Sequence, residues 1–174
     1  MRSEGHNTLT IDGNNEDLDA HGVITQVGSN SSKLFAIADL SQAYKGKLSS
    51  WKRGVALLDD EKMLVQDEIV PVTATGIIWN FHTRAQVRLS PDGSLATLTQ
   101  NGSVLYAHIL SPAGVRFSAE DTKQSSVEAI NRNVTNLTLH VQSGHEAMNI
   151  EVLFTKDATK SSIISPPLTD WTPR

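Results

Sequence analysis

An all-β fold, and within that class an antiparallel β-sandwich, is what this sequence predicts, and three observations predict it. Apolar and polar residues alternate with a period of two along most of the chain, the period of strands. Polar turns interrupt the alternation often, so the strands are many and short. Asn101-Gly102, set between two alternating runs, is the clearest local signal, because both residues accept the positive φ of a tight type I′ hairpin turn.

The elements follow in order. Residues 8–11 read Thr-Leu-Thr-Ile and form a first strand, with Ser3-Glu4-Gly5-His6-Asn7 at its mouth. An acidic loop at 12–19 precedes a second strand at 22–27. Residues 33–40 hold the nearly continuous apolar run Leu34-Phe35-Ala36-Ile37-Ala38, which predicts a strand buried on both faces. The stretch Tyr44-Lys45-Gly46-Lys47-Leu48-Ser49-Ser50-Trp51-Lys52-Arg53 reads as a solvated loop leading into a strand. Runs at 55–58 and 63–70 flank the polar turn Asp59-Asp60-Glu61-Lys62 and predict a hairpin. Strands at 75–83, 85–89, 94–99 and 103–110 continue through Pro91-Asp92-Gly93 and Asn101-Gly102. Two late strands, 137–142 and 149–155, come before the Pro166-Pro167 tail. Only 121–133 has room for a helix, and Ser125-Ser126 weaken it. Without a repeat or a second composition regime, residues 1–174 read as one domain.

Composition removes several function classes. The hydrophobic share is 39% but the aromatic share only 5%, so the core must lean on Val, Ile, Leu and Ala. With no cysteine there is no disulfide framework, thiolate metal site or thiol nucleophile. A net charge of −4, with dispersed cations, argues against nucleic-acid binding. No apolar run approaches the roughly 20 residues of a membrane span, and no signal-peptide pattern opens the chain.

Chemistry-bearing residues are scattered. Six histidines are present, and none forms a His-x-His or His-x-x-x-His pair that would place two imidazoles beside one metal. No nucleophile elbow, phosphate loop or dinucleotide fingerprint occurs. In Trp79-Asn80-Phe81-His82-Thr83, alternation puts Asn80 and His82 on one face and Trp79 and Phe81 on the other. His82 reads as a half-exposed cross-strand residue, with a ligand or substrate role as the alternative. The Tyr44–Arg53 stretch interleaves cations with two aromatics. Its second reading is a grip on a polyanionic sugar, with cations on the acidic groups and rings on the sugar faces.

Five short segments carry a resemblance to a known family. Gly5-His6-Asn7-Thr8-Leu9-Thr10-Ile11-Asp12-Gly13, Trp51-Lys52-Arg53-Gly54-Val55-Ala56-Leu57, Leu64-Val65-Gln66-Asp67-Glu68-Ile69, Ile78-Trp79-Asn80-Phe81-His82-Thr83 and Pro167-Leu168-Thr169-Asp170-Trp171 occur in this order. They resemble landmarks of the heparinase II/III-like polysaccharide lyases, enzymes with an N-terminal (α/α) toroid followed by a supersandwich-like antiparallel β-sandwich. The resemblance covers only the C-terminal sandwich part and begins after its first strands. It implies β-elimination on a uronic-acid-containing acidic polysaccharide, such as a glycosaminoglycan or alginate. It implies a zinc site in which His6 is the one ligand found here, with substrate-binding roles for Asn7, His82, Trp51 and Arg53. No catalytic acid or base carries over to this chain, so it is expected to be inactive alone and to retain no zinc. The implied partners are the toroid and the polysaccharide, and the implied location of a full-length parent is secreted or periplasmic. A non-catalytic carbohydrate-binding or structural sandwich is the alternative.

Overall fold

A computed structural model describes residues 3–30, 33–58, 61–121, 133–159 and 163–172. Twelve strands are described, all paired antiparallel, in two sheets. The long sheet has the order β2-β3-β4-β5-β12-β9-β8-β7 and the short one β1-β6-β11-β10. The ranges are β1 Leu9–Ile11, β2 Val23–Asn30, β3 Lys33–Asp39, β4 Leu48–Leu58, β5 Lys62–Pro71 and β6 Gly76–Thr83. The later strands are β7 Gln86–Leu89, β8 Leu95–Gln100, β9 Ser103–Ser111, β10 Phe117–Asp121, β11 Thr135–Gln142 and β12 Met148–Thr155. The expected β-sandwich is present.

Local signals hold where turn chemistry is local. Asn101 and Gly102 take φ of 52° and 80°, and Gln100 faces Ser103 across the hairpin of β8 and β9. Leu58 pairs with Lys62 in the expected β4–β5 hairpin, although residues 59 and 60 lie outside the described residues. The expected helix at 121–133 falls mostly outside them too, and Asp121 itself ends β10. The strand β10 has no counterpart in the sequence reading, because Phe117 is the only large apolar residue in Phe-Ser-Ala-Glu-Asp.

Two expectations are corrected. Residues 44–53 are not a loop: a 3₁₀ turn at Ser41–Tyr44 leads to β4, which begins at Leu48. A register shift between Leu48 and Ser50 lets Leu48 and Trp51, three residues apart, both face the core, and that bulge hides the period of two. Strand β3 is buried on one face rather than both, since Phe35 and Ile37 are buried while Leu34 is 55% exposed.

The main core lies between the sheets. Trp79, Ile77 and Leu139 of the short sheet meet Trp51, Ile69, Ile150, Val152 and Phe154 of the long one. A second core covers part of the long sheet's outer face, where the C-terminal segment places Leu168 and Trp171 over Phe35, Ile37, Ala56, Leu64 and Leu153. Glu68 Oε1 accepts the Leu168 N–H at 2.7 Å, and Gln66 Nε2 donates to the Pro166 carbonyl at 3.2 Å. Gly54 makes that seat: a Cβ there would stand 2.3 Å from Leu168 Cδ2 and 2.8 Å from Trp171 Cζ3. Among the described residues no helix is long and apolar enough to cross a membrane.

Candidate functional site

Four of the five quoted segments converge on the inner face of β4 and β5, at the end of the short sheet where β1 begins. Arg53 and Asp67 stand opposite one another in the β4–β5 register. Their side chains therefore leave the same face of the sheet about 5 Å apart. Asp67 is fully buried and engaged from three directions. Oδ1 accepts from Trp51 Nε1 at 2.7 Å and from Arg53 Nε at 2.8 Å, while Oδ2 accepts from an Arg53 terminal nitrogen at 2.8 Å. A carboxyl group with no access to water needs this many donors to offset its lost hydration.

The other terminal nitrogen of Arg53 donates to the Asn7 carbonyl at 2.6 Å, which ties the segment before β1 to the long sheet. Asn7 Oδ1 in turn accepts the backbone N–H of His82 at 2.7 Å and lies 3.3 Å from His82 Nδ1. Asn80 completes the hold: its Nδ2 lies within hydrogen-bond reach of the Thr8 carbonyl, Thr10 Oγ1 and the Ile78 carbonyl, and its Oδ1 accepts from Asn136 at 2.9 Å. His6 sits just before this anchor, with its N–H bonded to the Ser3 carbonyl and its side chain exposed. The resulting rim presents His6 and Asn7 to solvent, with half-buried His82 and Arg53 behind them.

The predicted site residues thus divide. Asn7, His82 and Arg53 are brought together, and His6 is adjacent through the chain. Trp51 is corrected: it is 0% exposed, so its ring offers no sugar-stacking surface and it acts through Asp67. Tyr44, the other aromatic of the proposed sugar grip, is buried as well, and its hydroxyl donates to the Leu9 carbonyl at 2.7 Å. Burial pushes the Tyr44 phenol up to about 12, far from the range useful for proton transfer at neutral pH. Among the described residues no three His, Cys, Asp or Glu side chains converge to hold a metal ion, so the residues present do not by themselves fit a zinc. Sequence reasoning left Asp67 and Asn80 without a role. The signal for Asp67 was a carboxylate at an inward position between Val65 and Ile69, where a charge must be paired.

These features define a class, an antiparallel β-sandwich of two unequal sheets that holds a polar rim at the entry to its shortest strand. The chain belongs to the heparinase II/III-like, C-terminal family, which matches residues 2–163. No curated protein sequence matches it significantly. Its fold is similar to that of a heparinase III, the BT4657 gene product, with TM-score 0.72 and 15% identity over 88% of this chain and 24% of that one. A heparan sulfate lyase, HepC from Pedobacter heparinus, gives TM-score 0.72 and 14% identity over 88% and 24%. Another heparinase III gives 0.69 and 17% over 87% and 23%. The chain spans about a quarter of the length of these proteins.

Proposed function

We propose that this chain is the C-terminal sandwich part of a lyase that cleaves a uronic-acid-containing polysaccharide by β-elimination. The observation that carries the reading is the rim in which buried Asp67 fixes Arg53, Arg53 fixes the Asn7 backbone, and Asn7 holds His82. Family membership and the fold shared with heparinases support it. In β-elimination a base removes the proton at C5, α to the uronate carboxylate, and the C4 oxygen leaves with a proton from an acid. Neutralising that carboxylate makes the C5 proton acidic enough to take.

On this reading the rim meets the substrate through Asn7 and His82, while Arg53 is a positioning residue. Base and acid come from polypeptide outside these residues, the N-terminal helical toroid of the longer protein. His6 supplies one ligand to a zinc completed from that same region, and such a site organises the junction. The substrate class is an acidic glycosaminoglycan such as heparan sulfate, or alginate, and the parent protein works outside the cytoplasm. Burial of Trp51 and Tyr44 disfavours the alternative of a free-standing carbohydrate-binding module, which needs exposed rings.

The test is an ultraviolet assay for unsaturated uronate product on heparan sulfate, heparin and alginate. The longer protein is expected to release product, and the 174-residue chain none. Product from the isolated chain places acid and base within it. Silence of the longer protein on every uronate polymer removes the lyase reading.

A further inference from the structure

The core face of the long sheet does not end where its cover ends. Strands lie about 4.8 Å apart, so eight of them form a layer about twice as wide as four. Cross-strand register shows which side chains share the inner face. Val27, Ala36, Val55 and Val65 are aligned, as are Leu34, Leu57 and Met63, and Val65 and Met63 pack into the core beneath the short sheet. Ile24 joins them through Ala38, Arg53 and Asp67. On β2, β3 and the far part of β4 the same face is open: Ile24 is 67% exposed, Val27 64% and Leu34 55%, and Val55 and Leu57 are exposed as well. The other positions of that face on β2 and β3, Ser29, Ala36 and Ala38, carry no charge, and Arg53, at its border on β4, is paired with Asp67.

A contiguous apolar sheet face of this kind marks an interface rather than ordinary surface. We propose that it is the docking surface for the polypeptide that precedes residue 3 in a longer protein, which packs over β2, β3 and β4 as a permanent apolar layer. Three observations select this occupant. The Asn7 carbonyl is bonded to Arg53, two residues from Val55 on the same face of β4, so chain arriving at Ser3–Asn7 enters along the border of the open half. The solved structures of the same fold are about four times as long as the aligned region. An apolar face continuous with the main core, whose one bordering cation is already paired with Asp67, resembles a domain core cut in half, the signature of an obligate contact.

The inference rests on the reading of this chain as part of a longer protein, but not on the chemistry that protein performs. Hydroxyl-radical footprinting read by mass spectrometry tests it on the isolated chain and on the longer protein. Leu34 and Leu57 are expected to be oxidised in the isolated chain and protected severalfold in the longer one. Leu34→Lys in the longer protein is expected to restore oxidation at Leu57, while the same change in the isolated chain leaves its unfolding midpoint unchanged. Equal oxidation in both proteins overturns the proposal. Protection that grows with concentration of the isolated chain also overturns it, because the occupant is then a second copy. Protection without lyase product removes the function proposed above and leaves the docking surface standing; product without protection does the reverse.

Discussion

Arg53 and Asp67 account for most of the order at the rim. A fully buried carboxylate with three donors is tolerable only while its cation stays, and removing one partner of a buried pair costs about 3–5 kcal/mol. Arg53→Ala is therefore expected to lose that much stability in urea unfolding, and Arg53→Lys to recover only part, since an ammonium cannot reproduce the two-pronged contact. An Arg53→Ala midpoint equal to that of the unsubstituted chain rejects the assignment. Tyr44 supports a second test. Its phenol, normally near 10.0, is pushed up to about 12 by burial, so the folded chain keeps a proton that the unfolded chain gives up. The resulting stability is intact below pH 10 and is lost as pH rises toward about 12. Tyr44→Phe is expected to cost about 1 kcal/mol near neutrality through the lost bond to Leu9, and to flatten the alkaline limb of the stability–pH curve. An unchanged limb shows that another group governs it.

At the scale of elements, β4 and β5 each serve two layers. Inward, Trp51, Arg53 and Asp67 build the rim; outward, Gly54, Gln66 and Glu68 seat the C-terminal segment. The adjacent pair Asp67-Glu68 thus splits between the two faces by simple alternation. Trp171 secures the outer layer, with the Phe35 ring edge-on at 5.8 Å between centroids and the Lys33 ammonium 3.4 Å from its own ring centroid. Trp171→Ala is expected to cost about 3–5 kcal/mol, the usual range for emptying a buried aromatic site. Circular dichroism during thermal unfolding measures it, and a loss below about 1 kcal/mol shows that the segment is only loosely attached.

At the scale of the whole molecule, an eight-stranded layer paired with a four-stranded one leaves core-quality surface open at β2 and β3, the feature that footprinting addresses. The all-β class, the Asn101-Gly102 hairpin and the order of the five family segments were legible in the sequence, because period, turn chemistry and short motifs reside in neighbouring residues. The rim was half legible. His6, Asn7, Arg53 and His82 stand on recognisable segments, but Asp67 acquires its role only through a register that sets it opposite Arg53, 14 residues away. Trp51 looked like surface because the bulge at the start of β4 breaks the alternation that would have marked it as core. Leu34 looked like core because its strand is apolar throughout, yet burial depends on how far the opposite sheet extends. Strand identity was thus fixed by local residue pattern. Which side chains meet, and which remain open, was decided by strand order, register and sheet width, which arise from pairing between distant parts of the chain.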